Sequence, residues 1–265
     1  MFFKDILQNA MEKTRVSIVS YLNSRPFLHG LNKSRLAENI DLTLDIPSKV
    51  AAKLTFNQAD VGLIPVAGLE DLEEYNIVSR YCIGAAGKVR TVILASQVPL
   101  ENIETILMDY QSRSSVLLAK VLAQFYWRKN FRWENTCSGF EQNSIQGSTA
   151  GVLIGDRVFD VEHKYAYKYD LSEEWFDFTQ LPFVFAVWAA RCNLSEQFEV
   201  DFNSALGFGL ENISEIARME LSNYPKVDIY DYFTKNIRFE FDEPQKTGMK
   251  KFLELTKKLE PVELA

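Results

Sequence analysis

Four short polar or small-residue stretches carry the residue types that could bind and turn over a small anion. The first is Ser20-Tyr21-Leu22-Asn23-Ser24-Arg25-Pro26, which sets an amide, hydroxyls and a phenol directly after an apolar run (Val16, Ile18, Val19). Asn23 and Ser24 can cap a following helix, and Pro26 suits its first turn. The second is Ser112-Arg113-Ser114-Ser115, hydroxyls around a guanidinium between an apolar run at 105–108 and a helical pattern. Free N–H groups and the positive end of the dipole make a helix start an anion site. One cap needs fewer serines than this, so capping and anion binding stand level here. The third is Gly155-Asp156-Arg157, where Asp156 could face a ligand or cap its own helix. The fourth, Gly84-Ala85-Ala86-Gly87, is small enough to admit a ligand or another backbone, although a hairpin turn is the simpler reading. The first three stretches follow strand-like runs and precede helical turns, the position at which open α/β sheets place ligands. Taken alone, the first also reads as an ordinary strand–turn–helix corner.

Other chemistries lack their residues. The chain has two histidines, His29 and His163, and three widely spaced cysteines, Cys82, Cys137 and Cys192. With no CxxC or Cys/His ligand pattern, neither a zinc site nor a disulfide framework is expected. Cys82 and Cys192 sit in apolar runs and read as small core residues; a reducing cytoplasm fits. The formal net charge of −7 argues against nucleic acid and against an anionic membrane surface as partners. Residues 1–13 alternate apolar and charged positions and lack the apolar core of about 7–15 residues found in a signal peptide. No apolar run approaches the roughly 18 residues of a membrane span. The expectation is a cytoplasmic protein without metal or cofactor.

The elements that must position these stretches follow from periodicity. Strands are expected at 15–20, 40–46 (Ile40, Leu42, Leu44 and Ile46 alternating) and 59–65, with helices at 26–31 and 49–57 between them. That order, with short connections, implies a parallel sheet. The pattern restarts after Ser96 with a strand at 105–108, a helix at 116–129 and a strand at 150–154. Ser172 reads as the N-cap of a helix running to Leu181. The stretch 182–190 is the most apolar in the chain, a strand buried on both faces. A helix at 201–221, a short helix at 228–234, a strand-like run at 237–241 and a final helix at 247–259 complete it. The result is an α/β protein of two lobes with a central cleft and two hinge crossings, near Ser96 and near Phe185. The outer lobe combines 1–96 with 187–265, and the inner lobe is the insert 97–186. A cleft between lobes is the default small-ligand site.

In this order the motifs SYLNSRPF (20–27), ADVGLIP (59–65), GAAGKVRTVILAS (84–96), SRSSVLL (112–118), VLIGD (152–156) and DLSEEWFDFTQLPFVFAVWAAR (170–191) resemble the chorismate dehydratase family of the futalosine-type menaquinone pathway. The resemblance implies a type II periplasmic-binding-protein fold and loss of water from chorismate to give 3-[(1-carboxyvinyl)oxy]benzoate, with chorismate as the small-molecule partner. It implies a catalytic, polarising role for Asn23 and substrate contacts from Ser20, Tyr21, Ala86, Gly87, Ser112, Arg113, Ser114, Ser115, Gly155 and Asp156. Family members commonly have serines at the positions of Ala85 and Ala86, so this chain lacks those hydroxyl donors. No protein base stands out; His29 lies on the first helix, facing away from the cleft, which leaves a substrate carboxylate to take the proton. The rivals are a sister enzyme of the pathway making 1,4-dihydroxy-6-naphthoate, a small-carboxylate solute-binding protein and an inactive regulator. The sequence sets no oligomeric state.

Overall fold

In the computed structural model, which describes residues 13–260, β1 (Thr14–Val19) is the strand from which the first lobe grows. Its apolar residues Val16, Ile18 and Val19 are buried. The N-terminal stretch 1–12, which carried the reading against a signal peptide, lies outside the described residues. β1 pairs in parallel with β2 (Ile40–Asp45) and β3 (Val61–Pro65). Parallel neighbours need crossovers. These are α1 (Arg25–Lys33), with Pro26 in its first turn, and α2 (Pro47–Thr55). Leu44 is exposed while Asp45 is buried, so the apolar alternation at 40–46 does not mark an inward face. β2 is an edge strand, and Asp45 is satisfied by Ser17, Thr43 and Lys53.

The sheet continues with two long antiparallel strands, β4 (Asn76–Ala85) and β10 (Phe183–Ala190), and closes with β11 (Arg238–Glu240), in the order β11-β4-β10-β3-β1-β2. The second sheet is β7-β6-β8-β5-β9, from β5 (Val92–Ser96), β6 (Thr105–Met108), β7 (Arg132–Asn135), β8 (Thr149–Ile154) and β9 (Tyr167–Asp170). Each sheet has its own helices, giving two α/β lobes with mixed sheets and a cleft between them. Among the described residues no helix is long and apolar enough to cross a membrane.

The lobe boundaries differ from those drawn on the sequence. β5 hydrogen-bonds within the inner sheet, Ile93 opposite Leu153 on one side and Asp170 on the other. Residues 92–96 therefore belong to the inner lobe, and the first crossing is 86–91. Likewise Phe183–Ala186 pairs in the outer sheet, so the second crossing lies between Asp170 and Phe183. Gly84-Ala85-Ala86-Gly87 is no hairpin. Its first half ends β4, and the chain leaves for the other sheet at Gly87, whose φ of +104° suits a residue without a side chain.

Other expectations are corrected locally. The cap of α5 (Leu171–Thr179) is Asp170, which accepts from Ser172 N–H at 3.1 Å and Glu173 N–H at 3.3 Å; Ser172 lies inside the helix. The helix expected at 116–129 is α3 (Arg113–Val121) running into a wider π-type turn over Leu122–Trp127. The helix expected at 201–221 is two, α6 (Glu196–Glu211) and α7 (Ile213–Glu220). α6 crosses α1 where Gly30 and Gly209 meet backbone, and a Cβ on Gly209 would stand 1.8 Å from the Pro26 carbonyl oxygen. Cys82 is buried, but Cys192 is exposed beyond the end of β10.

Candidate functional site

The C-terminal end of β1 feeds a single 3₁₀ turn, Leu22–Ser24, and then α1. The end of β6 feeds the Asp109–Ser112 loop and then α3. The two starts face each other across a cavity of about 540 Å³ of free space, its open mouth included. That lies within the range of about 300–1,000 Å³ typical of small-molecule sites. The outer wall carries Val19, Asn23, Ser24, Leu63, Ile83 and Phe185; the inner wall carries Ser112, Ser114, Ser115, Ile154 and Gly155; Val89 and Thr91 come from the first crossing.

Ser112 is the N-cap of α3, its Oγ accepting from Ser115 N–H at 3.2 Å and standing 3.0 Å from Ser115 Oγ. The Ser114 hydroxyl accepts from Ala67 N–H of the outer lobe at 3.1 Å, which leaves its own proton to donate. Three hydroxyls thus surround the positive end of a helix dipole, suited to a carboxylate. Opposite, Asn23 Oδ1 accepts from Ser24 Oγ at 3.1 Å, and among the described residues nothing pairs with the Asn23 amide nitrogen. Neither residue caps α1 through its side chain.

Tyr21 spans the cleft, donating to Gln111 Oε1 at 2.6 Å. Burial, with Asp109 nearby, pushes its phenol far above the ordinary range, so it stays neutral. No Asp, Glu, His, Lys or Arg is among the described lining residues. The cavity is therefore an apolar slot with neutral donors, able to hold an anion and polarise an oxygen but poor in proton acceptors. Among the described residues no cluster of three or more His, Cys, Asp or Glu side chains is placed to hold a metal ion.

Of the residues singled out on the sequence, Tyr21, Asn23, Ser112, Ser114, Ser115 and Gly155 come together on the cavity wall. The others lie off it. Ser20 is half-buried at the end of β1, its N–H bonded to the Asp45 carbonyl. Ala86 is exposed and Gly87 lies in the crossing, neither of them among the described lining residues, and Ala85 is buried within β4. Arg113 points outward to Asp71 of the outer lobe at 2.6 Å. Asp156 neither faces the cavity nor caps its helix, α4 (Arg157–Val161). Its carboxylate crosses to the outer lobe, accepting from Leu22 N–H at 3.0 and 2.9 Å and from the Tyr224 hydroxyl at 2.7 Å. His29 stacks on Phe208, away from the cavity. The sequence reading missed Thr91, Phe185, Gln111 and Tyr224. Thr91 and Phe185 lie inside motifs read as strands, while Gln111 and Tyr224 occupy loops with no periodic signal.

The sequence pattern of a family described as menaquinone biosynthesis matches residues 14–258. The chain belongs to the menaquinone-biosynthesis family. It is 27% identical over 259 residues to the chorismate dehydratase of Thermus thermophilus, covering 88% of this chain and 92% of that one. This family member shares its fold with AF1704 of Archaeoglobus fulgidus, at a TM-score of 0.73 and 15% identity, covering 94% and 98% of the two chains. The Candida albicans CA3427 product, described as having the generic periplasmic-binding-protein fold, superposes at a TM-score of 0.65 with 13% identity, covering 95% and 92%. The aliphatic sulphonate binding protein SsuA of Escherichia coli gives 0.58 and 12%, covering 96% and 95%. The menaquinone-biosynthesis protein thus has a type II periplasmic-binding-protein-like fold, with its cavity in the interlobe cleft.

Proposed function

We propose that this protein is a chorismate dehydratase, converting chorismate to 3-[(1-carboxyvinyl)oxy]benzoate. The observation that carries the reading is the pairing of Asn23, whose amide nitrogen has no partner among the described residues, with a serine-lined helix start across an apolar slot. The family and the Thermus thermophilus relative support it.

The reaction breaks the C3–H and C4–O bonds of chorismate. The C–H electron pair becomes ring π density, and the departing hydroxyl leaves as water after gaining a proton. Aromatisation supplies the driving force, so the protein must orient the ring and favour the charge that develops on the leaving oxygen. In this reading the start of α3, with Ser112, Ser114 and Ser115, grips one carboxylate. The Asn23 amide donates to the departing hydroxyl. No described lining side chain is a ready base, so the second substrate carboxylate, held against the apolar wall, takes the C3 proton and returns it to the leaving oxygen.

The test is turnover of chorismate by the purified protein, followed by chromatography of the aromatic product, with Asn23→Ala alongside. Product formation that collapses in the variant supports the reading. Tight binding without turnover would replace it with a binding role, and no binding would move the substrate elsewhere.

A further inference from the structure

We infer that Asp156 is a positioning residue that supplies, from the inner lobe, the missing cap of the Asn23 turn, so that closing the cleft and fixing Asn23 are one event. The part concerning Asn23 catalysis rests on the dehydratase reading; the part concerning closure does not.

The 3₁₀ turn Leu22–Ser24 begins without a capping side chain of its own, because the residue ahead of it is Tyr21, whose hydroxyl lies at the far end of its ring and goes to Gln111. The first N–H of such a turn has no partner within it. Leu22 is fully buried, so water cannot serve its N–H cheaply. Asp156 meets that donor with both carboxylate oxygens. Among the described residues, its carboxylate makes no hydrogen bond within its own lobe; its other partner is Tyr224, in the loop after α7 and again in the outer lobe. One inner-lobe carboxylate thus gathers an N-terminal and a C-terminal segment of the outer lobe. Arg25 and Glu220 flank it as a pair at 3.3 Å.

Gly155 makes the approach possible. Its φ is +74°, and a Cβ there would stand 2.8 Å from the Tyr21 ring. Only a residue without a side chain lets the end of β8 come close enough for the next carboxylate to reach Leu22. Opening the lobes would strip Leu22 N–H of its acceptor and release the turn that carries Asn23.

The chain carries its own labelling sites for a test. Cys137 in the inner lobe and Cys192 in the outer lobe are exposed, whereas Cys82 is buried. Spin labels on Cys137 and Cys192 report the interlobe distance in the ligand-free protein, and kcat and KM for chorismate are measured beside it. Asp156→Ala is expected to lengthen and broaden the distance and to lower kcat at least tenfold, with KM raised less. Asp156→Asn, whose amide oxygen still accepts from Leu22 N–H and whose NH₂ can donate to Tyr224, should restore most of both. Tyr224→Phe, which keeps the ring and removes only one arm, should give an intermediate distance. An unchanged distance in Asp156→Ala, or in Tyr224→Phe if the former does not fold, overturns the inference. Opening with kcat retained overturns the link to Asn23. If the unsubstituted protein is inert toward chorismate, the dehydratase reading fails by itself, and the distance alone still decides whether Asp156 closes the cleft.

Discussion

Asp170 accepts the backbone N–H of Arg90 at 2.7 Å, so the residue that opens the second crossing holds the first. The same carboxylate takes Val89 N–H at 3.2 Å and the two N–H groups at the start of α5. Val89 lines the cavity, which places this anchor one residue from the site.

Burial raises the Asp170 pKa to about 6, outweighing the backbone donors that favour the charged form. A folded pKa above the unfolded value of about 3.9 means that the native state binds the proton more tightly. The resulting stability is present below about pH 4 and is lost as pH rises through about 6, by an amount on the order of 2–3 kcal/mol. Asp170→Asn lacks this contribution. Denaturant titrations of the two proteins should show the stability gap between them widening as pH falls from 7.5 to about 4. A gap that narrows would mean that Asp170 stays ionised and that its four donors dominate.

Arg113 illustrates how a chemically apt residue can be turned away. The guanidinium is engaged with Asp71 of the outer lobe, and both side chains are about half exposed. Such pairs contribute about 0–1 kcal/mol. Arg113→Ala should leave kcat/KM for chorismate within about fivefold, with the difference shrinking further in high salt. A rise in KM of a hundredfold would instead show that Arg113 leaves Asp71 for the substrate.

Tyr21→Phe keeps the ring against Gly155 and removes one interlobe hydrogen bond, to Gln111. A neutral bond of this kind contributes about 0.5–1.5 kcal/mol. The expected loss in kcat/KM is therefore about two- to tenfold, well short of the hundred- to thousandfold loss expected for removing a transition-state donor in Asn23→Ala. Steady-state kinetics on both variants separates a closing contact from a reacting one.

Ser112→Ala removes the cap of α3, which costs about 1 kcal/mol of stability. It also frees Ser115 N–H and Oγ. If the start of α3 holds a carboxylate, KM should rise more than the stability loss accounts for, while Ser112→Thr retains the cap and most of the affinity. Thermal melting with steady-state kinetics distinguishes the two.

Much of the architecture was legible in residue pattern. The strands at β1, β3, β6, β8 and β10 are runs buried on both faces, so hydrophobicity alone marks them. The turns after β1 and before α3 announce themselves through Asn, Ser and Pro, whose local backbone preferences do not depend on distant contacts. The boundaries between lobes were less legible, because β5 and β10 are equally apolar whichever sheet they join. Sheet membership is decided by hydrogen bonds to strands far away in the chain. The α5 cap went to Asp170 rather than Ser172 for a similar reason: Asp170 also serves Arg90 and Val89, and a carboxylate shared by four donors outweighs one hydroxyl.

The sequence by itself determined the residue types of the site, an amide turn and a serine-rich helix start, because both are local. Only the tertiary structure decided direction. Ser112, Ser114 and Ser115 line the cavity while Arg113 between them faces Asp71; Ser112 and Ser115, three residues apart, share one face of the helix start, and Ser114 is drawn in by Ala67 N–H of the outer lobe. Asp156 bonds to Leu22, 134 residues earlier, rather than to its own helix. A side chain's partner in space is fixed by how the two sheets dock, and that docking depends on packing that no local pattern records.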